Sequence, residues 1–204
     1  VFVSKYADHL PLYRQSQIYA REGIDLDRST LADRVGRSTA LLEPLADAIG
    51  RYVRTAQAIF ADDTPIKMQA KQKCATARIW TYVRDEQPWG SSDPPAAWYR
   101  FSTDREGRHP ADHLKTIKGS MHADGYSGFN QLYRDGGVNE VACSAHVRRK
   151  FVDVYKASGL EIAEEAIKRI AELYQVEKAV RGQSPEERAA LRQQDATQNG
   201  RAAC

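Results

Sequence analysis

Long apolar runs are missing from this sequence. Nowhere does a stretch approach the roughly 18 consecutive apolar residues that suggest a bilayer-spanning helix, and no secretory leader is legible at its start. Cysteine is scarce as well: Cys74, Cys143 and Cys204 are an odd number without a CxxC pair. That pattern argues against a disulfide scaffold and fits a reducing, cytoplasmic setting. Neither sign of charge dominates, since 30 Lys and Arg stand against 27 Asp and Glu for a net charge of +3. Composition alone therefore does not demand a polyanionic partner, and no membrane role is expected.

What is present suits a globular protein. With 42% hydrophobic and 28% charged residues, 204 residues suffice for one sizeable core, or for one domain with a helical appendage. Positive charge is concentrated locally in "HVRRKF" and in "YRQSQIYAREGIDLDRSTLADRVGRS". The chain opens on Val1 and reads as continuing sequence, so an N-terminal part is expected to be missing.

From about Ala7 to Val53 the pattern is helical. Gly23 is a stop, Ser29 a cap for "TLADRV", and a third helix runs from about Thr39 to Tyr52 with Pro44 near its start. Three short helices in this order suit a helix-turn-helix, and equally a plain helical layer. The period then changes. "QAIFADDTP" reads as a buried strand ending at Asp62 and Asp63, and "ARIWTYVRD" and "AAWYRFS" as an antiparallel pair with a long tip. A short helix in "HPADHLKTIKG", a strand in "SMHADG", a helix in "YSGFNQLYRDGG" and a strand-to-helix passage in "VNEVACSAHVRRKFVDVYKAS" follow. Residues 160–181 form an amphipathic helix with Ile162, Ala166, Ile170, Leu173 and Val176 on one face, and Ser184 and Pro185 start another. The order predicts an α/β fold with a mixed sheet. The expected division is a helical module over 1–55, a core over 56–158, a helical segment over 159–194 and a disordered tail over 195–204.

Two strand ends are acidic, "FADDTP" and "HADGYSG". Each alone is also a common turn opening. Carboxylates delivered by neighbouring strands repel unless a divalent cation lies between them, and hard oxygen ligands suit Mg²⁺ or Mn²⁺. Cys143 and His146 have the spacing of half a zinc site, but with no second pair a buried Cys followed by a helix-starting His is preferred. Arg148, Arg149 and Lys150 suit DNA phosphates or a solvated helix face, and both readings stay open.

The blocks "KYADHLPLYRQSQIYAREGIDLDRSTLADRVGRSTALLEPL", "ADDTPIKM", "RIWTYVRDEQPWGSSDPPAAWYRFSTDREGRHPADHL", "HADGYSGFNQLY" and "ACSAHVRRKFVDVYKAS" resemble consecutive blocks of the IS66-family transposases, in order, from near Lys5 to about Arg192. The resemblance implies a ribonuclease-H-like core of DDE type. In such a core two Asp and one Glu hold two Mg²⁺ or Mn²⁺ ions for DNA cleavage and strand transfer. On the matching positions Asp62 is the first carboxylate and Asp124 the second, while Asp63 replaces a family Glu and is a neighbour rather than a ligand. Ser144 stands where the family usually has Trp, which loosens local packing.

The Glu-bearing block and the family's zinc-finger-like segment have no counterpart here, and "DATQNGRAAC" departs from the family pattern as a frameshifted or truncated end would. Glu161, Glu164, Glu165, Glu172 and Glu177 read as a solvated helix face rather than as substitutes. The resemblance therefore implies either a transposase fragment acting on insertion-sequence ends in the cytoplasm, associated with the nucleoid when DNA-bound, or a catalytically inactive truncated remnant that at most binds DNA. A homo-oligomer is compatible with both. An unrelated metal-dependent nuclease on the same fold is a third reading.

Overall fold

A computed structural model describes residues 1–71, 73–134, 136–181 and 183–201, with only the backbone for Trp89 and for 195–201. It divides into two compact units, Val1–Arg51 and the chain from Tyr52 onward.

The first unit contains α1 (Phe2–Tyr6), α2 (Leu12–Arg21) and most of α3 (Arg28–Val53). Gly23, at φ 78°, ends α2 as the sequence predicts, with the Ile24 amide donating back to Tyr19 O at 2.9 Å. The cap of α3 is Asp27 rather than Ser29: its Oδ1 accepts from Thr30 N at 2.9 Å and from Ser29 Oγ at 2.5 Å. These bonds, the one from Ser29 Oγ foremost, hold the Asp27 carboxyl below its ordinary value. The expected break before Thr39 does not occur, because α3 runs 26 residues without interruption, roughly 40 Å, through Gly36 and Pro44. Ser38 and Thr39 bond back to the carbonyls of Arg34 and Val35, both at 2.9 Å, and so satisfy their hydroxyls inside the helix instead of breaking it.

The second unit is built on a mixed five-stranded sheet of order β3-β2-β1-β4-β5. Its strands are β1 (Ala58–Ala70), β2 (Lys73–Arg84), β3 (Ala96–Ser102), β4 (Gly119–Ala123) and β5 (Val138–Ala142). The first three pair antiparallel, and β4 and β5 add parallel to β1. Helices α4 (Arg108–Leu114), α5 (Asn130–Arg134), α6 (Ser144–Ser158), α7 (Glu161–Ala179) and α8 (Pro185–Arg201) complete the unit.

The first strand is longer than the sequence predicts. β1 does not end at Asp62 and Asp63 but continues through Pro65 to Ala70. Pro ends a central strand because it cannot donate to the ladder. Here β4 pairs with β1 only at Ala58–Phe60, so Pro65 lies on an open edge where no donor is required.

The core lies on the face of the sheet that carries Ile59, Trp80, Tyr82 and Met121, with Leu114 and Phe129 buried against it. Trp80 Nε1 donates to Ser102 Oγ at 2.8 Å, and Trp80 and Phe129 meet edge to face at 6.2 Å. Gly119, at φ 110°, starts β4 where a Cβ would stand 2.2 Å from Gln57 O. That carbonyl accepts from Ser120 N at 2.8 Å, which sets the β1–β4 register.

On α7 the buried residue is Ala163, while Ile162 and Leu173 are 76% and 57% exposed. The packed stripe is therefore rotated from the predicted one, toward the side where a small residue lets α6 approach. Ser184 and Glu187 form a capping box at the start of α8, as expected from Ser184 and Pro185. The backbone of α8 is helical to Arg201, where the sequence predicts a disordered tail from 195; residues 202–204 lie outside the described residues. Among the described residues no helix is long and apolar enough to cross a membrane.

Candidate functional site

Asp62 stands in the middle of β1, opposite Thr81 of β2. On its other side Phe60 pairs with His122 of the parallel β4, the last pair of that ladder; Asp62 and Asp124 each stand two residues beyond it and line the same cavity. The stacked rings of Phe60 and His122, 4.7 Å apart, mark this face of the sheet. One step across, Ala123 pairs with Ala142, and Cys143 N donates to Ala123 O at 3.1 Å, so the ladder brings Cys143 beside Asp124. All three residues line one cavity of about 500 Å³ between the sheet face and helices α6 and α7, together with His122, His146 and Tyr174.

The two carboxylates are oriented differently. Asp62 is exposed, and its Oδ1 accepts the amide of Asp63 at 2.8 Å. Asp124 is also a turn residue, because its Oδ1 accepts from Tyr126 N at 3.0 Å just before Gly125 and Tyr126 lead into α5. Its Oδ2 lies 3.8 Å from Arg105 Nη2, and its side chain is 27% exposed.

Asp63 meets the opposite environment. Period-two alternation turns it to the Trp80 face, and its side chain is 2% exposed although its backbone is partly open. It accepts from Arg78 Nη1 at 2.8 Å and takes two bonds from Arg105 through Nη2 at 2.7 Å and Nε at 3.0 Å. These bonds to Asp63 are the main reason the Arg105 guanidinium is held above its ordinary value. The Arg105 guanidinium also stacks over Tyr126 at 4.0 Å, and the Tyr126 hydroxyl donates to Arg105 O. Arg105 thus links Asp63 to Asp124. No local signal in the sequence marks it, since 42 residues separate it from Asp63.

Two hard, partly exposed oxygen donors beside a solvent-facing cavity fit a divalent cation such as Mg²⁺, which is commonly held by one or two carboxylates with the remaining positions taken by water or phosphate. Cys143 stands at the N-cap of α6 and His146 in its first turn, with His146 Nδ1 buried and without a hydrogen-bond partner among the described residues. Among the described residues no group of three or more His, Cys, Asp and Glu converges as a metal cluster. Glu164 and Glu165 pair with Lys168 and Arg169 one turn on, each at 2.8 Å, and Glu177 is held by Arg192 at 2.6 Å. Arg148, Arg149 and Lys150 are all exposed on α6. At about 100° per residue they fan around the helix and cannot all face one surface.

The chain matches the model of the Transposase IS66 family over residues 1–201. Its relatives include two uncharacterized proteins of Sinorhizobium fredii (strain NBRC 101917 / NGR234). The protein y4hP is 42% identical over 210 residues, covering 95% of this chain and 38% of the relative. The protein y4jD is 39% identical over 201 residues, covering 95% and 39%. The chain belongs to the IS66 transposase family, and it spans about two fifths of the length of the curated relatives it matches.

Proposed function

We propose that this member of the IS66 transposase family carries two metal-binding carboxylates of a DNA cleavage and strand-transfer site, Asp62 and Asp124, on a ribonuclease-H-like core. The observation that carries the reading is the convergence of two aspartates, far apart in sequence, beside one cavity, Asp62 on β1 and Asp124 just after the end of the parallel β4. Three leading antiparallel strands followed by two parallel ones support the core assignment.

When bound, Mg²⁺ or Mn²⁺ supplies the activation of water or of a DNA 3′-hydroxyl and the stabilisation of the leaving oxygen. The protein's own part is to hold the ligands. Asp62 sits on a strand hydrogen-bonded to β2 and is positioned by its Oδ1 contact to the next amide. Asp124 is fixed by the Tyr126 amide, and Arg105 ties its setting to the buried Asp63 ion pair. The partner is DNA at the ends of an insertion sequence, in the cytoplasm and at the nucleoid. Of the exposed cations Arg148, Arg149 and Lys150, those on the side of α6 turned to DNA serve its phosphates, and the helical unit Val1–Arg51 serves as a further DNA-binding module of helix-turn-helix kind.

Calorimetric titration with Mn²⁺ tests the ligands. Binding is expected for the unaltered chain and not for Asp62→Ala or Asp124→Ala, and equal binding by all three would overturn the assignment. A second reading, a remnant that binds DNA without cutting it, is favoured by the engagement of Glu164, Glu165 and Glu177 in ion pairs away from the two aspartates. Mg²⁺-dependent nicking of the element's terminal DNA separates the two, since inactivity with retained DNA binding supports the remnant.

A further inference from the structure

The unexpected length of β1 creates a feature that the two aspartates do not explain. β4 leaves β1 after Phe60, and β3 pairs with β2 only over Arg78–Arg84. Beyond those points β1 and β2 pair only with each other, from Ile66↔Ala77 to Ala70↔Lys73. The result is a two-stranded ribbon that leaves the sheet at Ile66 and Ala77, three residues beyond Asp63. At about 3.3 Å per residue its end lies roughly 25 Å beyond Asp62.

The ribbon has two different faces. Pro65, Lys67, Gln69, Cys74 and Thr76 are exposed on one, whereas Ile66, Met68 and Ala75 are half-buried and Ala77 fully buried on the other. Its sequence, "TPIKMQAKQKCATA", holds Lys67, Lys71 and Lys73 and no acidic residue, in a chain whose charges otherwise nearly cancel. Lys67 Nζ is within 3.3 Å of Thr76 Oγ1 across the strands, which sets its ammonium over the polar face. The base of the ribbon is braced by the buried Asp63, held by Arg78 from β2 and by Arg105.

We propose that this ribbon is a duplex-DNA arm, in which Lys67, Lys71 and Lys73 contact phosphates while the polar face, which continues the Asp63 side of the sheet, enters the major groove of the flanking DNA. The major groove, about 12 Å wide, admits a two-stranded ribbon, and strands are an established means of reading it. With duplex DNA rising about 3.4 Å per base pair, the end of the arm falls roughly seven base pairs from Asp62. The charge suits a polyanion. Lysine and proline on open strand edges also deter edge-to-edge pairing, which makes a second copy of this chain the competing occupant.

The inference rests on DNA being the substrate, but not on the metal assignment. It is tested by binding of the full chain to a duplex of about 30 base pairs, and to the same single strand, in EDTA across a salt series. Replacing Lys67, Lys71 and Lys73 together by Gln is expected to weaken duplex binding at least about tenfold. It should also make the slope of log K against log salt shallower by about 2.7, at roughly 0.9 for each phosphate that is no longer neutralised. Asp62→Ala should bind like the unaltered chain. Unchanged affinity and slope in the triple variant, with duplex binding intact, overturn the arm alone. So does a loss confined to the single strand, or self-association by the unaltered chain in sedimentation that the triple variant abolishes. Failure of the unaltered chain to bind duplex even at low salt overturns both the arm and the DNA reading.

Discussion

Asp62 and Asp63 are neighbours on one strand, with the same charge and nearly the same backbone, and they meet opposite surroundings. Asp62 opens onto the cavity shared with Asp124, while Asp63 is buried on the other face between two guanidinium groups. The difference comes from the strand's period of two, which sends alternate side chains to opposite faces. A carboxylate kept near solvent can exchange water for a cation. One already paired with Arg78 and Arg105 braces the strand that carries its neighbour.

The contrast breaks if the two positions respond alike. We predict the largest effect for Asp62→Asn: metal-dependent nicking falls to background, while stability changes by no more than about 0.5 kcal/mol because the side chain is exposed. Nicking assays beside thermal melts check this. Asp63→Asn should do the reverse at the level of the fold. Removing the buried partner of two cations costs about 3 kcal/mol, a drop in Tm on the order of 10 °C. If Asp63→Asn melted like the unaltered chain, the bracing role would be lost.

Arg105→Ala sharpens the comparison, because Arg105 touches both sides. It should cost about 1–2 kcal/mol, since Arg78 still pairs with Asp63, and it should strengthen Mn²⁺ binding by removing a cation 3.8 Å from Asp124. Weaker Mn²⁺ binding would instead make Arg105 a support of the site.

Smaller still is an acid sensitivity on the Asp63 face. The Tyr82 hydroxyl and His113 Nδ1 share a hydrogen bond of 3.0 Å. Burial first, and then the charge of Arg100, push the His113 imidazole down to about 4. The unfolded chain takes up this proton near pH 6.5 and the folded chain only near about 4, so the unfolded state binds more protons in between. This contribution to stability is full above about pH 6.5 and is lost as pH falls toward about 4. His113→Gln is expected to flatten the fall of Tm between pH 6.5 and 5, whereas identical pH profiles would rule out His113 as the source of the sensitivity.

The strands with plain alternation were legible in advance: "ARIWTYVRD", "AAWYRFS" and "SMHADG" lie within or across β2, β3 and β4. The β-branched and aromatic residues of the first two and the turn residues around all three leave little choice. Pro65 misled, because a proline signals the end of a strand only where both edges are paired. The helix start read near Thr39 misled for a related reason, since Ser38 and Thr39 bond back to the carbonyls one turn earlier and α3 runs through them without a break. The stripe on α7 was misplaced because a face roughly 100° wide leaves its centre open until a partner helix selects it. Asp62 and Asp124 stood out as candidates from expected strand ends and family-like blocks, although β1 runs on past Asp62, whereas Arg105 did not, because its role depends wholly on long-range contacts.

By itself the sequence determined the alternation of apolar and polar positions, and with it which faces the strands bury and where turns must fall. Those are local properties of residue types at fixed spacing. Only the tertiary structure decided which strands became neighbours, and so whether Asp62 and Asp124 would line one cavity, whether Arg105 would reach Asp63, and how far β1 would run beyond its parallel partner. Pairing across the sheet joins residues by register rather than by distance along the chain, and register is settled when the whole core packs.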